Sequence, residues 1–250
     1  MLLPAVPRGD EAPPPSGRIV ITRVYLLRHA QTIWNAERRY QGTLNPPLSE
    51  QGRAEAGALR EALRSIPLRA VYSSPLARAM ETAALVAEAH GLPVVTHDGL
   101  REIGVGEWEG LLMDEIEVRY ADVLQNWWDR PHLTRIPGGE TLDEMRDRGM
   151  RAMEEIRLRV PDGAVAVVAH GGVNKTIIFT ALGAPLASYW RIRQANACIN
   201  VLDYDGERAR LLILNATTHL GALPPQEALP RDAAEARVTR PVKPPSPETW

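Results

Sequence analysis

Apolar runs and amphipathic stretches alternate along this chain. Ile19 to Leu27 is rich in β-branched and apolar residues, the pattern of a strand buried on both faces. The period then changes. Ser49 can cap a helix with Glu50 in its first turn, and Ala54, Ala58, Leu59 and Ala62 form an apolar stripe behind it. Ala70 to Ser73 reads as a short strand, after which Ser74 and Pro75 stand as N-cap and first residue of a helix ending at Gly91. Val94 to Thr96 is a brief strand, Glu140 to about Arg159 a charged helix, and Ala164 to Ala169 the most apolar strand of the chain. Val173 to Leu182 reads as a helix closed by Gly183. Ala197 to Tyr204 and Arg208 to Leu214 flank Asp205-Gly206, a hairpin turn signal. Strands alternating with helices predict an α/β fold, with a mostly parallel central sheet covered by helices on both faces.

The two ends break this pattern. Residues 1–18 and 223–250 are rich in proline, and their composition predicts a disordered N-terminal arm and a Pro-rich C-terminal tail around one domain over residues 19–222. A length of 250 residues suits that division. A formal net charge of -2 supplies no global basic field, which argues against nucleic acid as a partner. The apolar start, Met1 to Val6, is broken by Pro4 and is too short for a signal-peptide core; no apolar run is long enough to span a bilayer. Cys198 is the single cysteine, which excludes an internal disulfide and suits a reducing compartment. A cytoplasmic protein without membrane partners is the expectation, and a homodimer is compatible with it.

The candidate chemistry lies where predicted strands end. Arg28-His29 follows the first strand and His170-Gly171-Gly172 follows the most apolar one, while Arg78 sits in the first helical turn after a third. Open α/β sheets bind ligands in the crevice at such ends. Two imidazoles and two guanidiniums suit transfer of a dianionic phosphoryl group, since Arg forks match phosphate oxygens and neutral His is a nucleophile. Adjacent arginines would also disfavour imidazolium at His29. Small residues after His170 let backbone N–H groups approach an anion at a helix N-terminus. A leaving alkoxide needs a proton, and Glu102 is placed for that role, with Asp98 as its competitor. Two histidines and a carboxylate could instead hold a metal, but two arginines beside the site would repel a dication. That argues against a metal.

These strings resemble the histidine phosphatase superfamily, the phosphoglycerate mutase-like family, over roughly residues 21–205. Arg28-His29-Ala30-Gln31-Thr32 is similar to its Arg-His-Gly-Glu-Thr signature, with Ala30 and Gln31 as departures. Trp34-Asn35, Arg39-Tyr40-Gln41-Gly42 and Pro47-Leu48-Ser49-Glu50-Gln51-Gly52 follow in the family's order. Asn45 stands where many members carry Asp. Ser73-Ser74-Pro75-Leu76-Ala77-Arg78, Leu100-Arg101-Glu102, Pro137-Gly138-Gly139-Glu140-Thr141 and Ala169-His170-Gly171-Gly172 complete the set. The resemblance implies a three-layer phosphoglycerate mutase-like sandwich, a small phosphorylated metabolite as substrate, and no metal or organic cofactor. It implies that His29 carries the phosphoryl group, that Arg28, Arg78 and His170 bind and stabilise it, and that Glu102 serves as acid and then base. Asn35 and Gln41 match positions near the phosphate, and Gly171 belongs to the same wall. Glu102-Ile103-Gly104 through Glu109-Gly110 is similar to the phosphatase branch rather than the mutases.

Two rivals stand beside a metal-independent phosphatase: a mutase that keeps the phosphate in its product, and a non-catalytic phosphate-ligand binder on the same fold. Residues 107–139 are expected to form a lid. Trp108, Trp127 and Trp128 could stack on a sugar or base there, or simply pack a lid helix. Tyr189-Trp190 is expected to pack the domain or an oligomer contact.

Overall fold

The computed structural model describes residues 21–206 and 208–221. The expected arm and tail, and Ile19, Val20 and residue 222 of the expected domain, lie outside the described residues. Six strands form one sheet: β1 (Thr22–Arg28), β2 (Leu68–Ser73), β3 (Val94–Thr96), β4 (Gly163–Ala169), β5 (Ile199–Asp205) and β6 (Arg208–Ala216), in the order β3-β2-β4-β1-β5-β6. The first four run parallel, whereas β5 is antiparallel to β1 and β6 to β5. The antiparallel pair is the hairpin signalled by Asp205-Gly206. Asp205 pairs with Arg208, and Gly206 takes a φ of 58°, which glycine adopts without steric cost.

Period-two alternation divides the strand residues between two cores. Leu26, Tyr72, Val165, Val167 and Ala169 face α6 (Leu142–Arg159) and α7 (Gly171–Ala181). Leu27, Val71, Ala166 and Val168 face α2 (Glu50–Leu63) and α3 (Ala77–Glu88) on the other side. The result is a three-layer sandwich. Fully burying each Val or Leu contributes on the order of 1.5–3 kcal/mol, which is why β1 and β4 take the centre of the sheet. Thr141 caps α6 through a reciprocal box with Glu144, and Leu142, Met145, Gly149, Ala152, Met153 and Ile156 form its buried stripe. A side chain at Gly149 would stand 3.2 Å from Val173 of α7, so glycine is what lets the two helices approach.

Several boundaries depart from the sequence expectation. Ser74 is not a helix N-cap: α3 begins at Ala77, with Leu76 in the cap position and no side-chain cap bond. The chain through Ser74 and Pro75 instead continues as a corner, in which Ser74 Oγ accepts from Leu76 N–H at 3.3 Å and lies 2.7 Å from His170 Nε2. The first N–H of α3, on Ala77, donates to Asn45 Oδ1 at 3.0 Å. The helix proper stops at Glu88, and Gly91 closes the following turn with a φ of 62°. Helix α6 starts at Leu142 rather than Glu140, and α7 starts at Gly171 rather than Val173. The expected lid contains α4 (Met113–Arg119) and α5 (Ala121–Asp129), flanked by single turns of 3₁₀ helix at Gly106–Trp108 and Pro131–Leu133. A further short helix, α1 (Ile33–Ala36), follows β1. No helix among the described residues is long and apolar enough to cross a membrane.

Candidate active site

Strand register brings the site together. Arg28 of β1 pairs with Ala169 of β4, and Val168 of β4 pairs with Ser73 of β2. His29, His170 and Ser74 are therefore the next residues at the same end of three adjacent parallel strands. The ladder extends one step further, with His29 N–H donating to Ala169 carbonyl at 2.9 Å and Ser74 N–H to Val168 carbonyl at 2.9 Å. The two imidazole centroids lie 5.1 Å apart.

His29 is 2% exposed, and its Nδ1 is 2.7 Å from the Ala30 carbonyl oxygen. A carbonyl can only accept, so Nδ1 carries the hydrogen and Nε2 keeps its lone pair. Burial, then the charges of Arg78 and Arg28, hold this imidazole well below the ordinary histidine range. His29 is neutral at pH 7. His170 is completely buried and is likewise held well below that range, by burial and then by Arg78, His29, Arg28 and Arg148. Its Nε2 is 2.7 Å from Ser74 Oγ, while Nδ1 has no partner.

The two guanidiniums are anchored from behind. Arg78 is 1% exposed and donates through Nη1 to the Leu44 carbonyl at 2.7 Å and through Nη2 to the Gly42 carbonyl at 2.9 Å. Burial lowers it to about 10, opposed by Glu102, so it remains a cation at neutral pH. The loop that receives it is fixed by Glu109, whose Oε1 accepts from Thr43 N–H at 2.7 Å and from its hydroxyl at 2.8 Å. Arg28 Nη1 donates to the Gln194 carbonyl at 2.5 Å. Neither Arg28 Nε nor Arg78 Nε, both buried donors, has a protein partner. Buried polar atoms in folded proteins are normally satisfied, so this concentration around His29 marks a site shaped for an oxygen-rich anion. Gly171 borders Arg28, where a β-carbon would make only ordinary contact at 3.4 Å from Arg28 Nε.

Glu102 occupies the position the sequence suggested for a phosphate. Its Oε2 accepts from Gly172 N–H at 3.0 Å and its Oε1 from Val173 N–H at 3.2 Å and Ile103 N–H at 3.0 Å. The α7 N-terminus thus holds the carboxylate of the chain itself, a favourable charge for that helix end. Gly172 permits this, because a β-carbon there would fall 2.3 Å from Glu102 Oε1. The competitor Asp98 is exposed and does not line the cleft, whereas Glu102 does.

The cleft has a volume of about 1630 Å³ and is lined by Arg28, His29, Asn35, Gln41, Arg78, Glu102 and Gly171 among others. His170 does not line it and stands behind the wall. Asn35 lines it, but its Oδ1 accepts from Thr32 and Asn196, so it braces α1 as well. Trp108 is fully buried and away from the cleft, which settles it as lid core, while Trp127 and Trp128 reach the cleft wall. Tyr189 and Trp190 pack against Trp127 and also line the cleft, so their expected packing role is incomplete. Among the described residues, no three His, Cys, Asp or Glu side chains are grouped to hold a metal ion.

Sequence reasoning missed Ser74 as the partner of His170, Glu109 as the brace of the Arg78 loop, and Tyr189 beside Glu102. Only Ser74 carried a usable signal, its place one residue past a strand in register with β4.

The model of the histidine phosphatase superfamily (branch 1) matches residues 24–217. The chain belongs to this superfamily. It is 36% identical over 201 residues to "Phosphoserine phosphatase 1" of Hydrogenobacter thermophilus, covering 80% of this chain and 95% of that protein. It is 34% identical over 183 residues to "Probable phosphoglycerate mutase GpmB" of Salmonella choleraesuis, covering 73% and 85%. A mycobacterial glucosyl-3-phosphoglycerate phosphatase solved with VO3 superposes with a TM-score of 0.73 at 32% identity, over 78% of this chain and 99% of that one. The histidine phosphatase is thus a phosphoglycerate mutase-like α/β protein, with phosphatases among its relatives and phosphatase activity as its chemistry.

Proposed function

We propose that this phosphatase hydrolyses phosphate monoesters of small metabolites without a metal, by way of a covalent phosphohistidine on His29. The state of His29 carries the reading: a neutral imidazole with Nδ1 tied to a carbonyl, Nε2 available, and two guanidiniums beside it. In the first step the Nε2 lone pair forms the N–P bond as the P–O bond to the leaving group breaks. A protonated Glu102 gives its proton to the departing alkoxide. In the second step the Glu102 carboxylate takes a proton from water, whose oxygen attacks phosphorus as the N–P bond breaks. Inorganic phosphate leaves, and both residues return to their starting states. Arg28 and Arg78 offer Nε donors to the equatorial oxygens, with Gln41, Asn35 and Gly171 completing the wall; His170, expected to bind the phosphate, stands behind that wall with its ring 5.1 Å from that of His29.

Relatives carrying phosphatase names support hydrolysis, and relatives carrying the name of a probable phosphoglycerate mutase are the observation behind a mutase reading. A mutase would return the phosphate in its organic product. The cytoplasm suits the enzyme, given its single, buried Cys198 thiol. The test is a rapid quench with a labelled aryl phosphate. Label should appear on His29 in an acid-labile bond, free phosphate should follow, and His29→Ala should lose both by several orders of magnitude. Turnover of that variant within about tenfold of the parent would place the nucleophile elsewhere.

A further inference from the structure

The loop that carries Glu102 is held chiefly by one side chain. Arg148, on α6, uses all three guanidinium nitrogens. Nε donates to Glu140 Oε1 at 2.7 Å, and Nη1 to the carbonyls of Gly99 at 2.9 Å and Arg101 at 2.6 Å. Nη2 donates to the carbonyl of Glu102 itself at 3.0 Å and to Glu140 Oε2 at 2.7 Å. Glu140 closes the other flank: its N–H donates to the Gly104 carbonyl at 2.8 Å, and its Oε2 accepts from Gly104 N–H at 3.4 Å. Glu102 therefore sits midway along a loop fixed at residues 99, 101, 102 and 104 by a single ion pair. That pair is largely withdrawn from solvent, with side chains 14% and 22% exposed.

Packing holds the flanks of this loop, where Leu100, Ile103 and Val105 are buried, but leaves one side of it open. A cavity of about 310 Å³, separate from the substrate cleft, is lined by Arg101, Glu102, Gly104, Gly139, Glu140 and Arg148. Glu102 borders both spaces. On that open side the place of the Glu102 backbone is set by the hydrogen bonds of Arg148 and Glu140. An error of about 1 Å at a proton donor can cost about 100-fold in rate.

We infer that Arg148, held by Glu140, is a positioning residue for the leaving-group acid, fixing the Glu102 backbone so that its carboxyl meets the ester oxygen. The inference rests on the reading of Glu102 as that acid. Lysine keeps the charge at this position but lacks the planar fork, so it cannot serve three carbonyls and a bidentate carboxylate at once. Arg148→Lys should therefore fail as an acid-positioning residue while preserving the nucleophile and the phosphate clamp.

The experiment is a double-mutant cycle on the full chain, measured in single turnovers with an alkyl phosphate and with p-nitrophenyl phosphate. Arg148→Lys should slow the alkyl ester by at least about tenfold and leave the nitrophenyl ester within about threefold, since nitrophenolate departs with little help from an acid. In a Glu102→Gln background the same substitution should add nothing to the alkyl-to-aryl ratio. Glu140→Gln should move the ratio in the same direction by less, and it carries the test if Arg148→Lys fails to fold by thermal melting. Equal losses on both esters, or losses additive with Glu102→Gln, would show a general structural role and overturn the inference. So would an unchanged ratio in both variants. If Glu102→Gln itself leaves the ratio unaltered while label still accumulates on His29, the acid assignment is wrong, and the role of Arg148 falls with it.

Discussion

At the scale of single residues the fold spends stability to keep two histidines uncharged. His29 and His170 are 2% and 0% exposed and stand near two guanidiniums, so both are neutral where an exposed histidine would begin to protonate. In the unfolded chain each titrates near about 6.5. Below that pH the unfolded state binds up to two more protons than the folded one. The stabilisation is therefore complete above about 6.5 and declines as the pH falls, by up to about 1.4 kcal/mol per pH unit for each histidine. Urea midpoints between pH 7 and pH 5.5 should show this fall, and His29→Ala should lower its slope by about one proton. An identical slope in the variant would mean that His29 is protonated in the fold. The same depression predicts that phosphoenzyme formation keeps its rate well below pH 6.5, where a solvent-exposed histidine nucleophile would be losing it.

At the scale of elements, the N-terminus of α7 decides where the acid stands. Gly172→Ala places a methyl 2.3 Å from Glu102 Oε1, so the carboxylate must leave the amides of Gly172 and Val173. Alkyl phosphate turnover should drop by about 100-fold, with a much smaller loss on a nitrophenyl ester and a folded protein by circular dichroism. Loss confined to stability would contradict this. The sequence carried the strands of the site plainly, because β4 is an unbroken apolar run, β1 is rich in β-branched and apolar residues around Arg23, and a strand end must be followed by something that faces the crevice. It also carried Arg28, His29, Arg78, Glu102 and His170, which the register of β1, β2 and β4 and the turn of α7 bring to one place. What it hid were long-range choices. Ser74-Pro75 has the local chemistry of a helix start, yet its hydroxyl is taken by a histidine 96 positions away. The Gly171-Gly172 amides looked free for a phosphate, but a carboxylate from 70 positions upstream holds one of them. Arg148 was one charge among many on a charged helix, with nothing local to separate it from its solvated neighbours.

At the scale of the whole molecule, the positive charge for a transferring phosphoryl group comes from the protein. Arg28 reaches the site from the end of β1 and Arg78 from the first turn of α3, and both are anchored to backbone carbonyl oxygens that cannot follow a departing ligand. A bound dication would have to approach His29 against both guanidiniums, at a cost that grows as the site is buried. Exhaustive chelation should therefore leave phosphate release unchanged, and no single divalent ion should raise it. A loss restored by one metal would instead give His29, His170 and Glu102 the role of ligands. The same architecture should bind vanadate more tightly than phosphate, because its five-coordinate form presents equatorial oxygens to the unpaired Nε donors of Arg28 and Arg78 together. The comparison that tests it is the inhibition constant for vanadate in the parent and in His29→Ala. Only the parent can supply Nε2 as the fifth ligand, so vanadate should lose most of its advantage over phosphate in the variant, whereas equal advantage in both would mean that the ion binds without engaging the nucleophile.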